Sequence, residues 1–256
     1  MATSTATYLY CLVKGTRAPS LARVPAGLAG ASGPVAHRVA ASLWLIAADV
    51  PLSIYGAPAL DGRLRDLDWV ARAALAHEGV VEHFARSRSV SVIPAKLFTM
   101  FSTLDKALAD VAGRRTSLDR VMKRISGCEE WGIRITRQLP VAEPASRKQA
   151  KTGTAFLAAR KAARDAVADA RSEAAAAAED AFKRLARVAR DAAQRERRTE
   201  PGTNPPILEA AFLVPVTVRT RFKAEAARSA RACATAGVEL TLTGPWPAYN
   251  FIASAS

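Results

Sequence analysis

The order of apolar and polar positions predicts strands before helices at the start of the chain. Residues 7–14 (TYLYCLVK) alternate as in a β-strand. Residues 15–34 contain four glycines and three prolines and predict a loop. Residues 35–50 predict a hairpin, with a short strand, a turn near Ala41 and Ser42, and an apolar strand over 43–47.

Prolines and glycines divide the next segment into short elements. Residues 51–62 are rich in both and predict irregular structure. Asp66 is a candidate N-cap for a following helix, in which apolar residues recur at a spacing of three or four. Residues 89–98 predict a short strand that ends at Pro94.

Two amphipathic helices and one strand follow. The helices are predicted over 103–111 and 117–125, with a break at Gly113. Residues 129–136 alternate again and predict a strand with Trp131 on its apolar face. Residues 139–146 contain two prolines and predict a linker.

A single long helix is predicted over 153–198, since Gly and Pro are absent between Thr154 and Glu200. At 1.5 Å per residue such a helix is about 68 Å long. Asp191 and Arg195 would form one of its i,i+4 ion pairs. Its apolar stripe is built mainly from alanine: Val167, Ala170, Ala174, Ala177, Ala181, Leu185, Val188 and Ala192.

The remaining residues return to strands. Residues 207–218 predict a strand, and Pro215 within it indicates an edge position or a bulge, because proline has no N–H to donate. A helix over 219–236 ends at Gly237, and 238–243 form the last predicted strand. A turn is predicted at Gly244 and Pro245.

This order predicts an α+β protein of two domains. The first would comprise residues 1–127 and the second residues 128–256, with the long helix and an aromatic tail in the second. A length of 256 residues is enough for two domains of ordinary size.

Composition narrows the functional class. The formal net charge of +14 favours acidic partners in general. No apolar run is long enough to span a membrane, and the first residues do not resemble a signal peptide, so we expect a cytoplasmic protein. Cys11, Cys128 and Cys233 are far apart in the sequence and are expected to be reduced.

Candidate catalytic chemistry is sparse. His77 and His83 are six residues apart on one predicted helix and therefore point to nearly opposite sides. Glu129 and Glu130 are adjacent in a predicted strand and face opposite ways. No glycine pattern matches a phosphate-binding loop. We therefore expect no enzymatic activity, no metal and no cofactor, with an enzyme containing a hidden pocket as a remote alternative.

The long predicted helix carries 14 Lys or Arg and 8 Asp or Glu over residues 147–200. Arg184, Arg187 and Arg195 are its candidate partner-binding residues. The charges are consistent either with a solvated face or with a surface for an acidic protein. Nucleic-acid binding by this helix is the alternative function, although no recognised nucleic-acid-binding motif accompanies it.

The segment GPWPAYNF, residues 244–251, is unusually aromatic. Pro245 and Pro247 restrict the backbone on both sides of Trp246. Two interpretations of this tail are open. Trp246, Tyr249 and Phe251 either cap the core of the C-terminal domain or remain exposed as anchors for a partner protein.

Six stretches in the same order resemble the GvpL/GvpF family of gas vesicle proteins. The closing stretch, GPWPAYNF, is similar to that family's signature, with Gly244, Pro245 and Pro247 at its fixed positions. The other five stretches are YLYCLVK (8–14), LDWVARAALAHEGVVEHF (67–84), SVIPAKLFTMF (91–101, with Pro94), EEWGIRI (129–135, with Trp131 and Gly132) and TGTAFLAARK (152–161).

The resemblance implies a modified ferredoxin-like N-terminal domain followed by a second α+β domain with a long helix. It also implies a non-enzymatic accessory protein in the assembly of gas vesicles, which are gas-filled protein shells. Such a protein would bind the small apolar shell subunit and other accessory proteins, without a membrane partner and with nucleic acid not expected. One departure is notable: Lys96 and Phe98 stand where family members commonly have Arg and Gly, and a Phe adopts a positive φ only at a cost.

Overall fold

A computed structural model describes residues 4–87, 90–137, 153–196 and 205–252. The chain divides into two compact units, of which the first comprises Met1–Glu129 with Trp246–Ser256 and the second comprises Glu130–Pro245. Both units contain helices and antiparallel strand pairs, so the fold class is α+β. The predicted division placed the aromatic tail in the second domain, whereas here it belongs to the first unit.

The first unit is built on one sheet. Among the described residues, its strands are β1 (Thr5–Lys14), β2 (Val35–Ala40), β3 (Leu43–Pro51), β4 (Ser91–Pro94) and β5 (Met100–Phe101). They lie in the order β2-β3-β1-β4, and β5 also pairs with β1. The predicted hairpin is confirmed, since β2 pairs with β3 across a turn at residues 41–42. The short strand β5 was not predicted.

The central strand β1 is buried along almost its whole length. It pairs antiparallel with β3 from Thr5 opposite Pro51 to Lys14 opposite Leu43, with an irregularity between Leu9 and Cys11. Tyr8, Tyr10 and Cys11 are each fully buried. A strand with neighbours on both sides and both faces covered carries the core of its sheet.

Helices of the first unit follow β3 and β5. They are α1 (Leu52–Tyr55), α2 (Ala57–Arg63), α3 (Leu67–Ala85), α4 (Leu104–Gly113) and α5 (Arg115–Ile125). The prediction of irregular structure over 51–62 is therefore wrong. Pro58 lies in the first turn of α2, where a missing N–H costs nothing, and Gly56 separates the two short helices.

The predicted helix start at Asp66 is confirmed. The Asp66 carboxylate accepts a hydrogen bond from the backbone N–H of Trp69 at 3.0 Å, which satisfies one of the free donors at the start of α3. The helix then buries one side against the sheet through Ala73, His77, Val80, Val81 and Phe84.

The second unit has its own sheet and helices. Its described elements are β6 (Cys128–Arg137), α6 (Gly153–Ala186), β7 (Asp191–Gln194), β8 (Leu208–Pro215), α7 (Arg219–Thr235) and β9 (Val238–Trp246). The strand order is β7-β8-β6-β9. The predicted linker at 139–146 lies outside the described residues.

The long helix ends at Ala186, twelve residues before the predicted end at 198. Asp191–Gln194 instead pairs with β8, from Asp191 opposite Leu213 to Gln194 opposite Ala210. Helix propensity is a weak preference of a few tenths of a kcal/mol per residue, and strand pairing at the sheet edge overrides it. Asp191 and Arg195 therefore do not form the predicted pair within a helix.

Pro215 does not mark an edge strand. β8 lies between β7 and β6 in the interior of its sheet, and Pro215 is its last residue. A proline at that position ends the pairing and starts a short 3₁₀ turn over Val216–Val218. The edges of this sheet are β7 and β9.

The core of the second unit lies between the sheet and two helices. Ala174, Ala178, Ala181 and Leu185 of α6 are buried, together with Phe222 of α7. α7 ends as predicted, because Gly237 adopts the positive φ of 69° that a turn after a helix often requires.

The modified ferredoxin-like topology stays a prediction. A ferredoxin-like domain has the order β-α-β-β-α-β. In the first unit, the connection between β1 and β2, residues 15–34, is a loop without a helix, and the first helices come after β3. That loop is held through Leu28, whose backbone N–H donates to the Tyr10 hydroxyl at 2.9 Å.

Candidate partner-binding surfaces

The aromatic tail is docked on the first unit by its last two aromatic side chains. The Tyr249 hydroxyl donates to the Glu78 carboxylate on α3 at 2.5 Å. Phe251 is 2% exposed, and the Arg124 guanidinium lies 5.8 Å from the centre of its ring. These two contacts and the burial of Phe251 make the segment part of the packing of the first unit.

Trp246 is different, because 45% of its surface remains exposed. The residues of the tail therefore differ in their exposure. Phe251 is a core residue of the first unit, which is not the C-terminal core that the sequence suggested. Trp246 has the exposure that a partner-binding side chain needs, and its role in binding stays a prediction.

The contact between Tyr249 and Glu78 is electrostatically unusual. Partial burial raises the pKa of Glu78, although the hydrogen bond from Tyr249 acts in the opposite direction. Burial and the neighbouring Glu78 carboxylate raise the pKa of Tyr249 far above its usual range. The phenol therefore stays protonated at any physiological pH and acts as a permanent donor to the carboxylate.

The three predicted arginine sites are not brought together on one helix face. Arg184 is on α6, where its guanidinium pairs with Asp180 at 2.8 Å. Arg187 follows the end of α6, and Arg195 follows β7 with its backbone N–H donating to the Glu209 carbonyl at 2.8 Å. All three residues are exposed, and their binding role stays a prediction.

Sequence reasoning missed how unevenly α6 is buried. Every residue from 156 to 173 is exposed, whereas the buried positions begin at Ala174. Phe156, Leu157 and Val167 are large apolar side chains in this exposed part, with exposed fractions of 56%, 65% and 51%. The sequence gives no signal for this difference, because the buried part of the stripe is itself mostly alanine and the exposed part contains larger apolar residues.

The motif residues have structural roles within their units. Pro94 ends β4 opposite Cys11 of β1. Trp131 is 5% exposed in β6, with the Lys223 ammonium 5.9 Å from its ring. A Cβ at Gly132 would lie 2.8 Å from the Thr243 hydroxyl of β9, so only glycine fits there without a shift.

Gly244 is needed for two reasons. Its φ of 119° is a conformation that other residues rarely adopt, and an added Cβ would lie 2.8 Å from the carbonyl oxygen of Glu130. The Gly244–Pro245 peptide bond is cis. Pro247 is buried, whereas Pro245 is exposed.

His77 belongs to a buried hydrogen-bond chain. The Tyr8 hydroxyl accepts from the Phe98 N–H at 3.3 Å and lies 2.7 Å from His77 Nδ1, to which it donates. His77 Nε2, 3.2 Å from the Ala95 carbonyl, is therefore the protonated ring nitrogen. Burial lowers the pKa of His77 to about 4, so the ring is neutral at physiological pH.

Phe98 adopts the backbone conformation that is unfavourable for its residue type. Its φ is 63°, in the left-handed region, and its ring stacks on Trp69 with centres 5.6 Å apart and an angle of 9° between the planes. The position thus keeps a glycine-like backbone, and the stacked ring offsets part of the cost.

Other chemical groups are dispersed. The described residues contain no cluster of three or more His, Cys, Asp or Glu side chains that could hold a metal ion. Cys11, Cys128 and Cys233 are free thiols, and burial raises the pKa of Cys11 and Cys233. Among the described helices, none has the length and apolarity needed to cross a membrane.

Comparison with known proteins identifies the family. The sequence profile described as gas vesicle synthesis protein GvpL/GvpF matches residues 6–253. The chain belongs to the GvpL/GvpF family. A relative, gas vesicle protein L from Streptomyces sp. (strain CB03234), is 28% identical over 266 residues, which cover 98% of this chain and 94% of the relative.

Two crystal structures have the same fold as this GvpL/GvpF family member. GvpF from Anabaena sp. PCC7120 superposes with a TM-score of 0.67 at 14% identity, covering 97% of this chain and 96% of that structure. GvpF from Microcystis aeruginosa gives a TM-score of 0.62 at 14% identity, with 96% and 98% covered. The comparisons give no support to the nucleic-acid alternative.

Proposed function

We propose that this chain is a non-enzymatic accessory protein of gas vesicle formation. It binds the small apolar shell subunit and other accessory proteins during nucleation and assembly, in the cytoplasm and in association with gas vesicles. Membership of the GvpL/GvpF family supports the assembly role. The observation that carries the binding function is the exposed first half of α6, with Phe156, Leu157 and Val167 in solvent.

A shell subunit with a large apolar surface needs that surface covered until it is incorporated. This chain offers two means of covering it. A helix or a helical segment can dock against α6, and an extended segment can add to an open strand such as β2 or β9. Basic side chains on α6 would accelerate the encounter with acidic partners more than they would strengthen the complex.

A binding experiment with the purified shell subunit tests the proposal. The full chain is immobilised, and retention of the shell subunit is measured at low and moderate salt. We expect retention at both salt concentrations, because apolar contacts resist screening. If the folded chain retains no shell subunit under either condition, the proposed function is wrong.

Nucleic-acid binding is measured in the same samples as a control. Binding to phosphates weakens with salt by a log–log slope of about 0.9 for each phosphate contact. We expect no steep salt-dependent binding to random duplex or single-stranded DNA. Such binding, together with no retention of the shell subunit, would favour the alternative function.

A further inference from the structure

The first half of α6 continues beyond the core that its second half helps to form. Ala174, Ala178, Ala181 and Leu185 pack in the second unit, and 20 residues precede Ala174 from Thr154 onwards. At 1.5 Å per residue this exposed segment, residues 154–173, is about 30 Å long. Most of the stability of helices in proteins comes from packing of an apolar face, and the exposed residues 156–173 lack such packing within the described part of the chain.

The apolar stripe of the exposed segment is in phase with the buried stripe. Counting back from Ala174 by four and three residues gives Ala170, Val167 and Ala163, and the next two steps reach Arg160 and then Phe156. The buried and exposed stripes therefore lie on one side of the helix. The small residues in the exposed stripe allow another helix to approach closely, as α7 does at the buried end, where the Cys233 thiol lies 3.9 Å from the Ala177 carbonyl oxygen.

Charges are distributed unequally around the exposed segment. Arg164 and Arg171 are seven residues apart along one flank of the stripe, and Arg160 lies at the edge of the stripe on the same side. Asp165 and Asp169 lie on the far side of the helix. The nearest charge pair, from Arg164 Nε to Asp165 Oδ1, is 3.9 Å long between exposed side chains and neutralises the arginine only weakly.

We propose that this face binds an amphipathic α-helix of a partner protein that carries carboxylates along one flank. The apolar side of that helix covers Phe156, Val167 and the alanines between them, and its carboxylates meet Arg160, Arg164 and Arg171. The inference rests on the proposed function and adds to it the surface used and the chemistry of the partner.

A second copy of this chain is a poor partner for the exposed face of α6. If two such faces paired antiparallel, the arginine flank of one would meet the arginine flank of the other. If they paired parallel, the arginine flank would face Ala159, Ala166 and only one acid, Glu173. Charge therefore disfavours antiparallel self-pairing and adds little to parallel self-pairing, whereas an acidic partner helix would offer a carboxylate to each of the three arginines.

A pair of synthetic helical peptides tests the charge preference. Each peptide has about three heptads, which matches the length of the face, with Leu and Ala on its apolar side. One carries Glu along both flanks, and the other carries Lys at the same positions. Binding of each labelled peptide to the full chain is followed by fluorescence anisotropy, and we expect the Glu peptide to bind more tightly.

Two variants and their controls locate the binding. We expect Arg164→Glu to weaken binding of the Glu peptide by about threefold to fivefold, which is the scale of an exposed ion pair, and to improve binding of the Lys peptide. Lys161→Glu, on the side of the helix away from the apolar stripe, should leave the binding of both peptides unchanged. Val167→Asp should cost about tenfold or more, because a charge is then buried against the peptide. All three positions are exposed, so circular dichroism and thermal unfolding should match the parent chain.

The outcomes separate the inference from the proposed function. Equal binding of both peptides, or no effect of Arg164→Glu, overturns the inference. It is also overturned if the chain self-associates in sedimentation and Val167→Asp abolishes the association. If the shell subunit is retained equally by the parent chain and Val167→Asp, the inference fails while the proposed function stands. If the parent chain retains none, the proposed function itself fails.

Discussion

The neutral, buried His77 links the stability of the first unit to pH. Its folded-state pKa of about 4 lies below the usual histidine value of 6.5, so between these values the unfolded state binds more protons than the folded state. The contribution of the neutral His77 ring to the free energy of unfolding is fully present above pH 6.5 and is lost as the pH falls towards 4. The maximum loss is about 3 kcal/mol.

We expect His77→Gln to flatten this dependence, because Gln keeps an acceptor for Tyr8 and a donor for Ala95 without titrating. Free energies of unfolding from urea denaturation are measured across pH for the parent chain and the variant. His83→Gln, on the same helix, is the control. If the free energy of unfolding depends equally on pH in the parent chain and in His77→Gln, His77 does not cause the acid sensitivity.

The left-handed backbone at Phe98 predicts an unusual order of stability among substitutions at this position. Left-handed backbone costs a residue with a Cβ about 1 kcal/mol, so Phe98→Gly relieves strain while Phe98→Ala keeps it. Both lose the stacking on Trp69. We expect both variants to be less stable than the parent chain, with the Gly variant about 1 kcal/mol more stable than the Ala variant. Chemical denaturation measures this difference, and the opposite order would contradict the assigned φ.

At the scale of elements, α6 combines a packed half with an exposed half. Enlarging a side chain should therefore have different effects along one helix. Ala178 is 1% exposed, and Ala178→Leu should destabilise the second unit by about 1–3 kcal/mol through overpacking. Ala163→Leu, in the exposed half, should change stability by less than about 0.5 kcal/mol. Equal effects in thermal unfolding would contradict the uneven burial.

Local sequence signals predicted the elements that have local causes. The cap at Asp66, the helix end at Gly237 and the hairpin turn at residues 41–42 depend on a few neighbouring residues, and all are confirmed. The end of α6 and the interior position of β8 depend on pairing between Asp191–Gln194 and β8. Nothing within residues 187–198 indicates that pairing, because their composition alone favours a helix.

The same distinction applies to the candidate site. The aromatic character of the tail was visible, but Glu78 and Arg124, its contacts in the first unit, are more than 120 residues away in sequence. Periodicity revealed the stripe of α6, but not where its burial begins, because that depends on the extent of the sheet and of α7. Contacts between distant segments decide both features.

At the scale of the whole molecule, the first unit is discontinuous in sequence. Phe251 supplies a buried ring to it, so we expect Phe251→Ala to destabilise that unit by about 3 kcal/mol and to leave the second unit unchanged. Hydrogen exchange of peptides from β1 and β8 reports on the two units separately. Trp246→Ala, at a half-exposed position, is the control, with a small effect expected. Faster exchange in β8 alone would contradict the assignment.

The discontinuity also sets the timing of folding during translation. Phe251 is synthesised 122 residues after Glu129, which takes roughly 6–25 s at about 5–20 residues per second. Until then a nascent first unit has no ring beside Arg124 and no phenol beside Glu78. The ribosome thus delivers every strand of this unit's sheet well before the side chains that close its packing.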